Sequence, residues 1–294
     1  MSIPLHLIGG PLGVGKTTAI RKFVGQTRDY VAVLVNDFGE TGYDAALIDE
    51  AGGDNLRVEN VPGGCLCCTS AAQLLPALKM LCANPEVDRV IVEPSGVALL
   101  DPILKMLREA APVCGFELMP VIVLLDPAAN RPAALKLIPY WKHLVDRADL
   151  IVANRCDLAP SQAIEQFIQC LENWTPPKRK LIQTAYGVLP SELFELHGRV
   201  ESPGGEVHPH VDLPPAGTLR SDQLFRLDRL LDLLETAALE TERFKGIFRT
   251  DKGWMRIEIA AGKVVQKPVQ EVKGSSADWI GTHDFGLLLE SAVL

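Results

Sequence analysis

The chain has 294 residues, of which 47% are hydrophobic and 22% are charged, and its formal net charge is −8 at pH 7. This composition is typical of a globular protein with a sizeable core, and the negative charge disfavours DNA or RNA as a partner. No apolar run approaches the roughly 18 residues of a membrane-spanning helix, so we expect no membrane partner.

The first predicted elements enclose a phosphate-binding loop. A strand is predicted at Leu5–Ile8, a complete GxxxxGK(S/T) motif occupies residues 10–17, and a helix is predicted from Thr18 to Val24. In this order, glycines let the loop turn its N–H groups toward phosphate oxygens, and the helix N-terminus adds partial positive charge. The residues expected at the nucleotide are Gly10, Gly13, Val14, Gly15, Lys16, Thr17 and Thr18. We expect Lys16 to reach the β- and γ-phosphates and the Thr17 hydroxyl to ligate Mg²⁺.

The loop after the second predicted strand, Val31–Val35, reads Asn36-Asp37-Phe38-Gly39-Glu40. Nucleotide switch loops usually lie at this place in the fold, and its two acids would lie near Mg²⁺ and near the cysteines described next. The alternative is an ordinary surface loop. We therefore expect Asp37 to belong to the catalytic site and Glu40 to be a candidate metal ligand.

Three cysteines then fall within four residues, in Gly63-Gly64-Cys65-Leu66-Cys67-Cys68. Soft thiolates select Zn²⁺, Cu⁺ or similar ions, and a fourth ligand would be Glu40, a histidine or water. A thiol redox pair and buried, inert cysteines are the alternatives. The other cysteines of the seven, Cys82, Cys114, Cys156 and Cys170, stand singly, and we expect them to be buried or incidental.

The segment Arg89-Val-Ile-Val-Glu93-Pro-Ser-Gly96 is an apolar strand that ends in an acid. A Walker B carboxylate belongs at such a position, so we expect Glu93 to hold Mg²⁺ directly or through water. The backbone N–H of Gly96 is placed to sense a γ-phosphate. The alternative is a strand that simply ends in an acid and a turn.

A base-reading motif follows the predicted strand Leu150–Asn154, where Asn154-Arg155-Cys156-Asp157 resembles NKxD. The Asp157 carboxylate is suited to accept both N1–H and N2–H₂ of guanine, a pair of donors that adenine lacks. Arg155 replaces the usual lysine, and its guanidinium can stack on the base. Ala185, after the next predicted strand at Leu181–Thr184, is expected to help close the base pocket. A chance Asn-x-x-Asp loop is the alternative.

Further strands are predicted at Arg57–Glu59 and Val121–Asp126, and helices at Ala71–Cys82, Pro102–Ala111 and Ser161–Trp174. This alternation predicts a doubly wound α/β domain with a mostly parallel sheet over residues 1–200. Residues 201–217 are rich in Pro and Gly and are predicted to form a linker.

Residues 218–294 are predicted to form a small α+β domain. Leucines between Leu224 and Leu234 recur at helical spacing, and short strands are expected at Gly246–Arg249, Trp254–Ile259 and Lys263–Gln266. Ala261-Gly262 is expected to join the last two strands as a hairpin. A final helix is expected at Phe285–Val293.

Taken together, the motifs resemble those of the CobW-type GTPases, which are relatives of the UreG and HypB metallochaperones. The matching segments, in chain order, are GGPLGVGKTT, NDFGE, GGCLCC, EPSG, NRCD and the C-terminal RFKGIFRT. The resemblance implies a P-loop NTPase fold and slow, Mg²⁺-dependent GTP hydrolysis coupled to delivery of Zn²⁺ or Co²⁺ to a client metalloprotein. It also implies that Cys65 and Cys67, with Cys68 or Glu40, hold the metal.

Two departures from the family pattern stand out. Arg155 replaces the usual lysine, and the histidine-rich tract of many members is reduced to His208 and His210, which argues against metal storage but not against transfer. The open alternatives are a P-loop small-molecule kinase or ATPase with redox or structural thiols, and a non-enzymatic module that responds to nucleotide and zinc. The early first strand leaves no room for a signal peptide, so we expect a cytoplasmic protein, and a homodimer stays open.

Overall fold

The computed structural model describes residues 2–35, 56–60, 71–198, 216–238, 241–260, 263–272, 274–281 and 285–294. These residues fall into two compact units, one containing the described residues up to 198 and the other those from 216 onward. The domain limits predicted above stay predictions.

The first unit is built on a parallel sheet. Its described residues form eight strands: β1 (Ile3–Gly9), β2 (Val31–Val35), β3 (Leu56–Asn60), β4 (Arg89–Glu93), β5 (Phe116–Leu118), β6 (Ile122–Leu125), β7 (Leu150–Ala153) and β8 (Lys180–Gln183). The strand order is β3-β2-β4-β1-β6-β7-β8, with β5 paired to β1, and every pairing is parallel. The predicted parallel sheet is therefore confirmed.

Helices cover both faces of this sheet. They are α1 (Lys16–Val24), α2 (Ala71–Cys82), α3 (Leu100–Cys114), α4 (Pro132–Leu137), α5 (Pro139–Arg147), α6 (Ser161–Glu172) and a short 3₁₀ helix at Ser191–Glu195. In the central strands β1, β2, β4, β6 and β7, alternate residues contribute to two separate apolar clusters. Leu34 belongs to the cluster that contains residues of α2, α3, α5 and α6, whereas Val33 belongs to the one that contains residues of α1 and the 3₁₀ helix. Strands buried on both faces are the reason for the continuous apolar runs in the sequence.

The topology determines where a site can form. β1 lies between β4 and β6, and β7 follows β6, so the loops after these strands meet at one edge of the sheet. In open α/β sheets, ligands bind at such a position, beyond the carboxyl ends of the strands.

The opposite edge is closed by Arg89, which is buried at the start of β4. Its guanidinium donates to the Phe194 carbonyl at 2.8 Å and pairs with Asp29 and Glu195, each at 3.0 Å. It also lies 5.8 Å from the ring centroids of both Phe23 and Phe194. These contacts join the 3₁₀ helix to the amino-terminal edge of the sheet.

Helices α4 and α5 and strand β5 are absent from the prediction. Each helix begins with a proline at its first position, and only Ile138 separates the two. Because an internal proline normally ends a helical pattern, residues 132–147 do not show one continuous periodicity. Helix α3 continues to Cys114, three residues beyond the prediction, and ends at Gly115 in the left-handed conformation (φ 75°).

The second unit is an antiparallel sheet with two helices among its described residues. The elements are β9 (Ala216–Ser221), α7 (Leu227–Ala237), β10 (Thr241–Thr250), β11 (Gly253–Ala260), β12 (Lys263–Pro268), β13 (Ser275–Gly281) and α8 (Phe285–Glu290). The strand order is β12-β11-β10-β13-β9. Leu230 and Leu234 of α7 are buried in a cluster with Phe244, Phe248 and Phe285.

The predicted α+β character of this region is confirmed, and β11 pairs antiparallel with β12. The Ala261-Gly262 connection predicted between these strands lies outside the described residues. Leu224 precedes helix α7 instead of lying in it, and β9 begins at Ala216, inside the segment predicted as linker. Among the residues that the structure describes, none of the helices has the length and apolar character needed to span a membrane.

Candidate nucleotide-binding site

The loop between β1 and α1 has the conformation that its glycines predict. Gly10, Gly13 and Gly15 have φ values of 146°, 71° and 94°, in the region that disfavours other residues. At Gly10 a β-carbon would also collide with the Leu124 carbonyl oxygen. The strand–loop–helix arrangement expected for a phosphate-binding loop is therefore present.

Lys16 lies inside this loop and is 7% exposed. Its ammonium donates to the carbonyl oxygens of Gly10 at 2.9 Å and Pro11 at 3.0 Å. These contacts hold a positive charge within the curve of the loop, where the motif predicts that phosphates bind.

Thr17 and Glu93 meet behind the loop. The Thr17 hydroxyl donates to Glu93 Oε1 at 2.7 Å, and Glu93 is 3% exposed at the end of β4. The contact arises because β4 is the direct neighbour of β1, so the two strands end side by side. A hydroxyl and a carboxylate are hard oxygen donors of the kind that Mg²⁺ prefers, so the residues present fit the predicted Mg²⁺ site.

The turn after Glu93 packs against the phosphate loop. Ser95 and Ala98 close the turn with an N–H···O bond of 3.0 Å. A β-carbon on Gly96 would lie 2.7 Å from the Leu12 nitrogen and 2.8 Å from its α-carbon. Glycine at this position therefore lets two backbone segments approach each other, and a role of Gly96 at a γ-phosphate stays a prediction.

Asn154 joins three loops at the same edge of the sheet. Its side-chain amide donates to the Val14 carbonyl at 2.8 Å, and its Oδ1 accepts the Gly187 N–H at 3.0 Å. Asn154 is 2% exposed, so both bonds are shielded from water. The phosphate loop and the loops after β7 and β8 are thereby held together.

Arg155 forms a second bridge and adopts φ 62°, which is unusual for a residue other than glycine. Its Nη1 lies 3.3 Å from the Gly13 carbonyl oxygen and 3.4 Å from Asp126 Oδ2. The neighbouring Asp157 has an exposed side chain in the following turn, and Ala185 is half-buried after β8. Asn154, Arg155, Asp157 and Ala185 thus lie on adjacent loops.

The predicted metal ligands Cys65, Cys67, Cys68 and Glu40 lie outside the described residues, as does Asp37. Within the described ranges, no group of three or more His, Cys, Asp or Glu side chains is arranged to hold a metal ion.

The four single cysteines are half-buried thiols. Burial raises the pKa of Cys82 to about 11, and it also raises the pKa of Cys114 and of Cys156. Thiols with raised pKa values stay protonated at neutral pH and make weak metal ligands. Cys82, Cys114 and Cys156 are therefore poor candidates for metal ligands.

Two residues at this edge are not among the predicted ones. Asp126 stabilises the loop after β6 by accepting the Ala128 N–H at 2.8 Å. Because Asp126 is an acid at the end of a strand adjacent to β1, the sequence pattern could have indicated it as a site residue. Tyr140 donates its hydroxyl to the Gly96 carbonyl at 2.7 Å. No local motif indicates Tyr140, because it lies on a helix that the sequence does not predict.

Residues 4–181 match the family model described as the CobW/HypB/UreG nucleotide-binding domain. The zinc chaperone YeiR of Escherichia coli (strain K12) is 28% identical to this chain, over 93% of it and 94% of the relative. The zinc chaperone CobW of Sinorhizobium sp is 25% identical, over 96% of this chain and 93% of the relative. The crystal structure of Zn(II)-bound YjiA GTPase from E. coli has a TM-score of 0.48 and 17% identity, with 99% of each chain covered. The family match includes the phosphate loop, Glu93 and the turn from Asn154 to Asp157.

Proposed function

The chain belongs to the CobW/HypB/UreG family, and on that premise we propose that it is a Mg²⁺-dependent GTPase that delivers a transition metal to a client protein. The observation that carries the proposal is the meeting of Thr17 and Glu93 beside the phosphate loop, at 2.7 Å. This pair lies at the same edge of the sheet as the loop after β7, which contains Asn154 and Asp157. One nucleotide would therefore contact both the Thr17–Glu93 pair and this loop.

The chain's own residues have separable roles in this proposal. Lys16 supplies positive charge to the β- and γ-phosphates, and the backbone of the loop supplies N–H donors. Thr17 and Glu93 would hold Mg²⁺, which when bound neutralises charge on the phosphate oxygens. Gly96 presents its N–H to the γ-phosphate. We propose slow turnover by the chain alone, so that hydrolysis acts as a timer for the switch loops.

We expect Asp157→Asn to weaken GTP binding by about 2–4 kcal/mol and to shift preference toward xanthosine triphosphate. The carboxylate would accept two guanine donors, whereas an asparagine amide offers one donor that suits the O2 carbonyl of xanthine. Affinities for GTP, ATP and xanthosine triphosphate, measured by calorimetry, give the result.

Glu165→Gln is the matched control for this variant, because it removes an exposed carboxylate from helix α6. Its affinities should equal those of the parent protein. Equal affinity of the parent for ATP and GTP would contradict guanine reading by Asp157.

The metal part of the proposal rests on Cys65, Cys67 and Cys68, with Glu40 as a further candidate ligand. In the sequence, these thiols lie between the Asn36–Glu40 segment and the strand that ends at Glu93. Two relatives carry the name zinc chaperone, which favours Zn²⁺ over Co²⁺ as the cargo here. A cytoplasmic location and a client metalloprotein complete the proposal.

A further inference from the structure

One face of helix α5 contacts the segment that follows Glu93. Tyr140, His143 and Arg147 are spaced three and four residues apart, so their side chains lie along the same side of the helix. All three contact residues between Gly96 and Asp101. The helix and the segment are therefore joined at three successive points.

Two of these contacts fix the beginning of helix α3. The backbone N–H of Leu100 donates to His143 Nε2 at 3.0 Å, which gives a partner to a donor at the helix N-terminus. The Arg147 guanidinium pairs with the Asp101 carboxylate, with Nη2 and Oδ2 2.9 Å apart. Helix α5 is thus held in place independently of Tyr140, and the tyrosine hydroxyl has a defined position.

The third contact reaches the turn itself. The Tyr140 hydroxyl donates to the Gly96 carbonyl oxygen at 2.7 Å, while the α-carbon of Gly96 packs against the backbone of Leu12. The turn is therefore held between the tyrosine and the phosphate loop. Burial raises the pKa of the Tyr140 phenol above its ordinary value, so the hydroxyl stays protonated and able to donate at neutral pH.

We infer that Tyr140 is a positioning residue for the γ-phosphate, which it affects through Gly96 without touching the nucleotide. By fixing the Gly96 carbonyl, it holds the turn against the phosphate loop before a nucleotide binds. The Gly96 peptide is then already ordered when a γ-phosphate binds, so binding does not require a further loss of its conformational entropy. A diphosphate lacks the γ-phosphate that this peptide is proposed to contact, so Tyr140 favours the triphosphate specifically. This inference rests on the GTP binding proposed above.

The test is Tyr140→Phe, which removes the hydroxyl and keeps the ring. We expect affinity for a non-hydrolysable GTP analogue to fall about 3- to 10-fold, the range of one intramolecular hydrogen bond, with GDP affinity unchanged. Tyr30→Phe is the matched control, because Tyr30 precedes β2 at the edge of the sheet opposite the phosphate loop. A purely structural role for Tyr140 would instead weaken both nucleotides equally.

A parent-like ratio of analogue to GDP affinity in Tyr140→Phe, or a higher one, would overturn the inference. A parent protein that binds neither nucleotide would overturn the proposed function itself, which makes the two failures distinguishable. If Tyr140→Phe does not fold, hydrogen–deuterium exchange of residues 94–101 in the nucleotide-free parent shows whether the turn is ordered before a nucleotide binds. Slow exchange supports a turn held in advance, and fast exchange that slows only with the analogue refutes it.

Discussion

Replacing Glu93 by glutamine is expected to lower Mg²⁺-dependent GTP hydrolysis by about 100-fold or more, because metal-assisted charge stabilisation is worth several kcal/mol. Glutamine has the same length as glutamate and retains an oxygen that can accept the hydrogen bond from the Thr17 hydroxyl. In the parent, this bond to Glu93 Oε1 is 2.7 Å long. The phosphate loop should therefore keep its shape, and GTP affinity should change little. Only the negative charge that would hold Mg²⁺ is removed.

The measurement is phosphate release under multiple-turnover conditions over a range of Mg²⁺ concentrations, with nucleotide affinity determined in parallel. Glu109→Gln, an exposed position on helix α3, is the control for loss of one carboxylate. Parent-like turnover in Glu93→Gln would remove Glu93 from the catalytic site.

Gly96→Ala is expected to lower nucleotide affinity by roughly 5- to 150-fold and to affect the triphosphate most. The new β-carbon would lie 2.7 Å from the Leu12 nitrogen and 2.8 Å from the Leu12 α-carbon. Because these are backbone atoms, a change of side-chain rotamer cannot relieve the contact. The phosphate loop or the turn must move, and overpacking of this kind typically costs about 1–3 kcal/mol.

Calorimetric titration with GDP and with the GTP analogue gives the size of this effect, and thermal unfolding shows whether the variant is folded. Gly25→Ala serves as the control, since Gly25 is exposed and has φ −69°, which alanine adopts freely. Parent-like affinity of Gly96→Ala for both nucleotides would show that the turn does not press on the loop in solution.

The parts of the site predicted from sequence are those that depend on short segments. The phosphate loop, the acid at the end of β4 and the Asn154 turn each follow an apolar strand, and a strand followed by a motif fixes local geometry. The Thr17–Glu93 contact also follows from neighbouring parallel strands. Whether Asp37 and the clustered cysteines take part stays a prediction, because these residues lie outside the described ranges.

The parts that were missed depend on packing between distant segments. Tyr140 reaches Gly96 across 44 positions of sequence, from a helix whose start at Pro139 interrupts the local periodicity. Strand β13 was missed because of its own composition. Three of its seven residues, Ala277, Trp279 and Ile280, are apolar, and Ala277 and Trp279 belong to the core cluster. Ser275, Ser276 and Asp278 interrupt the apolar residues of this strand, so a hydrophobicity pattern does not reveal it.

Metal delivery driven by the nucleotide cycle requires that metal and nucleotide binding are coupled, and zinc titration in three nucleotide states measures this coupling. Zinc affinity would be measured with a non-hydrolysable GTP analogue, with GDP and without nucleotide. The parent would be compared with Cys67→Ser, and with Cys170→Ser as the control on helix α6. Because thiols lose protons on binding metal, proton release in buffers of different ionisation enthalpy should accompany binding.

We expect the GTP analogue to tighten zinc binding by roughly 5- to 150-fold, and zinc to tighten analogue binding by the same factor. The coupling should be lost in Cys67→Ser and kept in Cys170→Ser. Identical zinc affinity of the parent in all three nucleotide states would rule out a nucleotide-driven metal delivery, because the thiol cluster and the phosphate loop would then act independently.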